Sequence, residues 1–213
     1  MQDFLWQAFI TLLVIVDPFM VVPVFMGLTK NDTKQQRQNT AKKACVIATI
    51  LLLFFGIAGD KLLDVLGISQ SAFRIAGGFL LLLAGIEMVM AHPSGLRSPN
   101  TDEKKEATNR DDISVFPLAI PLIAGPGSMT SIVVLMREAE SMSFMTQCGV
   151  MALGVVVIII TYITMRLGTK LMKLMGVTGM NVLTRVFGVI VAALATQHII
   201  SGVNASLKQL LAR

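Results

Sequence analysis

The sequence predicts an all-α integral membrane protein. Six transmembrane helices form two inverted three-helix repeats, and helices 1 and 4 are broken near the bilayer midplane. Three observations predict this. The 213 residues are 54% hydrophobic and 15% charged, with a positive mean hydropathy; a soluble domain averages about 45–50% apolar and about 25% charged. Apolar runs long enough to cross ~30 Å of hydrocarbon recur six times. The second half of the chain repeats the motif order of the first. A soluble domain still exposes roughly a third of its chain's surface, so it could not hide this much apolar material. A soluble enzyme, a disordered chain and a disulfide scaffold are therefore excluded.

The spans follow in order. Phe4–Leu28 is the first. Its flank has Asp3 and no Lys or Arg, and an Asp-Pro pair interrupts it, so it does not read as a cleaved signal peptide. Thr40–Gly59 is the second, and Ile75–Ala91 the third. A polar stretch, His92–Asp112, carries four basic and five acidic residues and reads as a solvated, flexible loop. Ile113–Met136, Cys148–Met165 and Val186–Val203 complete the set. Gly77, Gly78, Gly85 and Gly188 permit close helix approach, which predicts spans 3 and 6 packing on the broken helices. Arg74 and Arg185 open those two spans as interfacial anchors.

The net charge of +5 needs no nucleic acid, because membrane proteins gather Lys and Arg on cytoplasmic loops. Twelve Lys and Arg fall on one side of the predicted topology and four on the other, leaving out Arg74 and Arg185. This bias puts both termini in the periplasm. Cys45 and Cys148 lie in apolar stretches and read as helix filler near opposite faces, unable to pair.

The repeat shows in residues. Lys61–Ser69 reads KLLDVLGIS and Lys170–Thr178 reads KLMKLMGVT. Arg74-Ile-Ala-Gly77 matches Arg185-Val-Phe-Gly188, and Asp17-Pro18 matches Gly125-Pro126. The chain is thus one membrane domain: a repeat over about 1–91, a cytoplasmic loop over about 92–112, and a repeat over about 113–213. Three spans per repeat is an odd number, so the second half enters from the opposite face, a recurring transporter architecture.

The two interruptions carry the candidate site. Span 1 contains Asp17, Pro18 and Pro23; span 4 contains Pro117, Pro121, Ala124, Gly125, Pro126, Gly127 and Ser128. Proline removes a backbone donor and pushes the preceding residue out of helical geometry. Unpaired backbone deep in the membrane is tolerated only inside protein or around a wet cavity. Half-helix ends offer N–H groups for a carboxylate and carbonyls for a cation, which together suit a small zwitterion. The plainer reading is a pair of structural kinks. Asp17 has two open roles, handling substrate, ion or proton, and capping the half-helix that follows it.

Glu87 either snorkels to the interface or forms a proton or cation site. His198, at the repeat-equivalent position, is a proton relay or a hydrogen-bonded structural histidine. Thr196 and Gln197 are expected on an interior surface, as interhelical glue or pathway lining. No nucleotide-binding loop, catalytic carboxylate pair, nucleophile triad or metal cluster is present in the sequence, so ATP-driven transport by this chain is not expected.

Asp17-Pro18 with Pro23-Val-Phe25, Pro117-Leu-Ala-Ile-Pro121-Leu-Ile-Ala-Gly125-Pro126-Gly127, and Arg185, Gly188 and Ala195-Thr196-Gln197 resemble the MarC family of inner-membrane proteins along essentially the whole chain. The resemblance implies six spans and kinship with neutral amino acid transporters of the SnatA type, which move small amino acids with a cation gradient. It carries over Asp17, Pro18, Pro23, Pro121, Gly125, Pro126 and Gly127 as the central site, but not Glu87 or His198. Met20 departs from the family's frequent glycine two places after the Asp-Pro proline, which bears on cavity width and substrate choice.

The expected partners are the bilayer, an amino acid-like solute, and H+ or Na+. A homo-oligomer is left open. No cofactor, no nucleic acid and no enzymatic activity are expected. The competing classes are a channel, which needs a continuous polar stripe, and a membrane scaffold in which the breaks only pack.

Overall fold

The computed structural model describes residues 2–90 and 112–211. The predicted loop lies outside them apart from Asp112. The described residues are all-helical. They form α1 (Gln2–Val16), α2 (Pro18–Leu28), α3 (Lys34–Val65), α4 (Gln70–Met90), an irregular wide-turn segment (Ser114–Ile123), α5 (Pro126–Glu140), α6 (Phe144–Arg166) and α7 (Gly168–Leu211). Five helical stretches are long and apolar enough to cross a membrane, and a sixth appears if the wide-turn segment and α5 count as one bent span.

Several helices run past the predicted apolar limits because capping residues set their ends. Thr33 and Gln36 form a capping box that starts α3: the Thr33 hydroxyl accepts from Gln36 N–H at 3.3 Å, and Thr33 N–H donates to Gln36 Oε1 at 2.9 Å. Ser143 starts α6 by accepting from Thr146 N–H at 3.1 Å. At the end of α3, Gly67 N–H donates to Asp64 O and Ile68 N–H to Leu63 O. This two-bond closure needs a left-handed residue at Gly67, whose φ is 66°. Gly176 interrupts α7 with φ 65°.

The helices are inside out by soluble standards. On α3 the buried face is Ala41, Ala44, Cys45, Ala48, Leu52, Gly56 and Gly59, mostly small, while Val46, Ile50, Phe54 and Ile57 point outward. Small residues inside let backbones approach, and large apolar ones outside suit lipid. Lys43 and Asp60 bracket an uncharged stretch of α3. The 17 steps from Lys43 to Asp60 rise roughly 26 Å at 1.5 Å per residue, close to the hydrocarbon thickness.

Ion pairs fall at these two levels. Lys43 pairs with Asp112. At the other end Arg137 pairs with Asp60, and Arg74 with Glu138 at 2.7 Å, so the expected anchor Arg74 also ties α4 to α5. The Lys43 ammonium and the Ser114 hydroxyl hold the Asp112 carboxyl down at about 2. Cys45 is buried and Cys148 exposed; neither forms a disulfide.

Helices α4 and α7 pack mainly on each other, not on the broken helices as expected. A Cβ on Gly78 would come within 3.0 Å of Ala195 O, on Gly85 within 3.0 Å of Gly188 O, and on Gly202 within 2.9 Å of Ser71 O. Ser71, Gly78 and Gly85 therefore face Gly202, Ala195 and Gly188 in antiparallel order. Each row repeats every seven residues, and the pair crosses backbone to backbone. Contact with the interrupted spans is made at Gly77 against Thr130 and at Phe187, whose ring meets Phe19 edge-on at 6.0 Å.

Candidate functional site

The first interruption is built by Asp17. It takes the left-handed conformation (φ 47°, ψ 74°), which Asp tolerates better than most residues. Its N–H still closes α1 on Leu13 O at 3.0 Å. Pro18 then opens α2 at a first-turn position, where its missing donor does no harm to α2; it cannot, however, serve the Val14 carbonyl behind it. Met20 N–H donates to both Asp17 O (3.1 Å) and Asp17 Oδ1 (3.3 Å). Asp17 is fully buried and caps α2. The two pieces stay in line well enough to count as one 27-residue span.

The second interruption is larger. Phe116 (φ −123°, ψ 127°) and Ile120 (φ −125°, ψ 126°) are extended, each preceding a proline, as the clash with the proline ring demands. The peptide bonds Phe116–Pro117 and Ile120–Pro121 are cis. The segment winds loosely, with Leu118 N–H reaching Ile113 O at 3.4 Å and Ala124 N–H reaching Ala119 O at 2.8 Å. The axis then turns by 55° into α5. Gly125 is obligatory: a Cβ there would sit 2.4 Å from Pro121 O. Pro126 opens α5 as Pro18 opens α2, but α5 begins with no side-chain cap. Ser128 instead donates its hydroxyl backwards, at 2.9 Å to Gly125 O and 3.3 Å to Ile123 O.

The structure brings most of the span 4 residues together. Pro121, Gly125, Pro126, Gly127 and Ser128 line one small cavity with Ile15, Leu81, Ala84 and Val191 from α1, α4 and α7. Its volume of about 20 Å³ is room for about one water, well short of an amino acid. Ala124 is fully buried beside it. A Cβ on Gly127 would lie 3.7 Å from Ile15 Cγ2, so the second break abuts the helix end just before Asp17. Asp17, Pro18 and Pro23 are not among the lining residues; Pro18 is buried and Pro23 half-buried. Met20 is half-buried against the main core.

Sequence reading missed Ile15, Leu81, Ala84 and Val191, whose apolar character gave no signal. It also missed Thr164 of α6, whose hydroxyl lies 3.5 Å from Pro18 O, and Ser131, buried on α5 with no hydrogen-bond partner for its hydroxyl among the described residues.

The remaining candidates sit apart from this cavity. Glu87 is half-buried one turn along α4 from Ala84, and His198 is half-buried on α7. Thr196 and Gln197 are not interior. They face outward from α7, Thr196 donating to Ala192 O at 2.9 Å and Gln197 Nε2 to Ser201 Oγ at 3.3 Å. Bonds along their own helix satisfy these groups, which removes the need for an interior partner.

Residues 2–207 match the family described as MarC family integral membrane protein. A UPF0056 membrane protein of Methanocaldococcus jannaschii is 37% identical over 203 residues, covering 94% of this chain and 96% of the relative. The UPF0056 membrane protein YhcE of Escherichia coli is 32% identical over 199 residues (93% and 91%), and YvbG of Bacillus subtilis 31% over 205 residues (96% of each). No solved structure matches. A full-length match, helices that carry their large apolar residues outward and two proline-led interruptions agree: this chain is a multi-pass integral membrane protein and belongs to the MarC family.

Proposed function

We propose that this chain is a secondary-active transporter of the bacterial inner membrane, moving a small neutral amino acid or a related metabolite with H+ or Na+. One observation carries the reading: the second break, around Gly125–Gly127, abuts Ile15 at the edge of the first. Both breaks lie near the centres of their spans, so in a bilayer this irregular backbone sits near the midplane. Such backbone persists there only inside protein or around a hydrated site.

The caps suggest a division of labour. Asp17 already answers the positive end of α2, whereas α5 begins uncapped. The α5 end therefore takes the substrate carboxylate. The Asp17 side takes the ammonium or the coupling cation. The repeat supports alternating access. Gly67 and Gly176 take positive φ at matching places in the two motifs, and α4 and α7 meet as antiparallel counterparts. Two inverted repeats rocking about that contact would expose the site to each face in turn, with both termini in the periplasm.

The one-water cavity fits a closed conformation that must open to admit solute. The same small volume favours a second reading, a membrane scaffold that moves nothing. Labelled glycine or alanine flux into proteoliposomes, under imposed pH or Na+ gradients, separates the two. Saturable, gradient-driven uptake supports transport. Ohmic current means a pore, and no movement of any solute means a scaffold.

A further inference from the structure

A second, larger cavity lies at the far end of α2 from Asp17, where α2, α3 and α6 converge. Its volume is about 290 Å³, and its walls include Asp32, Lys34, Arg37, Gln38, Arg166 and Thr169. Three cations thus share one concavity with a single carboxylate. Among the described residues none of the three forms an ion pair. Arg37 spends Nη2 on Thr29 O at 2.8 Å and rests Nη1 3.8 Å from Met26 Sδ, while its Nε is buried with no acceptor. Arg166 lies over the Tyr162 ring, 5.8 Å from the centroid, which fixes its guanidinium without neutralising it.

We propose that this cavity binds a phosphate-class oxyanion. A guanidinium presents planar donors that match an oxyanion's paired oxygens, and Lys34 adds a point charge from α3, three residues before Arg37. Gathered cations at the edge of a low-dielectric bundle repel one another until an anion sits between them. The cations are not all spent on helix ends: only Arg37 donates to such a carbonyl, Thr29 O at the cap of α2. Two sources offer the same chemistry, the headgroup of an anionic lipid and a free phosphate. Basic pockets between membrane helices bind the first in this way. The proposal stands apart from the transport reading, and neither needs the other.

The test uses the purified full-length chain with two probes. In the lipid arm, native mass spectrometry compares retention of phosphatidylglycerol with phosphatidylcholine of the same acyl chains. In the soluble arm, inorganic phosphate is titrated while the thermal midpoint is read, since a ligand of the folded state raises it by mass action. Lys34→Gln combined with Arg166→Gln removes two cations that make no hydrogen bond within the described residues, so its midpoint without ligand should fall only by the loss of the Arg166–Tyr162 contact. Arg37→Gln is the second variant, and Lys61→Gln, at the other end of α3, is the control.

Selective phosphatidylglycerol retention that falls about fivefold or more in the double variant, but not in Lys61→Gln, supports a lipid headgroup. A saturable phosphate shift abolished by the double variant supports a soluble anion. No preference in either arm, or equal binding by parent and double variant, overturns the proposal.

Discussion

Gly67 and Gly176, 109 residues apart, both take positive φ, 66° and 65°, and Gly176 couples it to an extended ψ of 179°. Each closes a matching heptapeptide, Lys-Leu-Leu-Asp-Val-Leu-Gly and Lys-Leu-Met-Lys-Leu-Met-Gly. Nothing lies within 4 Å of where a Cβ would stand at either position. Replacing either by Ala therefore costs only the backbone strain, roughly 1–2 kcal/mol at Gly67 and about 1–3 kcal/mol at Gly176, whose φ and ψ lie in a region that glycine alone populates. Thermal unfolding in detergent should show a loss for Ala at both, and Asn should recover part of it at Gly67 only. An Ala variant as stable as the parent at either position would contradict the strain assigned to it.

Gly125 makes the opposite case, because space rather than φ forbids a side chain. Gly125→Ala drives a methyl into Pro121 O and should cost about 1–3 kcal/mol. Gly27→Ala, with open space around it, should change stability by no more than about 0.5 kcal/mol. Comparing the two midpoints checks it.

Asp17 separates its two roles by substitution. Asp17→Asn keeps an acceptor for Met20 N–H and tolerates the left-handed state. Asp17→Ala loses both and should be less stable than Asn by about 1–2 kcal/mol. Under the transport reading, Asn stays folded yet loses coupled flux. Equal midpoints for Asn and Ala would refute the capping role.

Lys43 and Asp112 give a pH signature. The Asp112 carboxyl is held near 2, below its ordinary 3.8, so the charged form is favoured in the folded state. The resulting stabilisation is present above about pH 4 and is lost as pH falls through about 2. Because the pair is exposed, it is worth under ~1 kcal/mol. The midpoint gap between the parent and Lys43→Ala should hold from pH 6 to 4 and close by about pH 2. A gap that widens on acidification would contradict the assignment.

Much of this was legible in the sequence because its signals are local. Asp17-Pro18 and Pro121…Pro126 act on their own backbone, so the irregular φ and ψ lie beside those prolines. Helix ends set by Thr33 and Gln36 outran the apolar runs because caps, not hydropathy, stop a helix. Ile15 and Leu81 were invisible as site residues, since an apolar side chain lining a cavity reads like any other. Gln197 was misplaced because a polar group was assumed to need a distant partner, when Ser201 one turn away sufficed.

The central claim is that the paired breaks enclose a hydrated site for a small solute. Ser128→Cys, in a chain with Cys45 and Cys148 replaced by Ala, tests it most directly through labelling by a membrane-impermeant methanethiosulfonate in proteoliposomes. The account predicts slow labelling that a transported amino acid suppresses in proportion to its occupancy. A thiol that stays unlabelled from both faces, with or without solute and gradient, would contradict it.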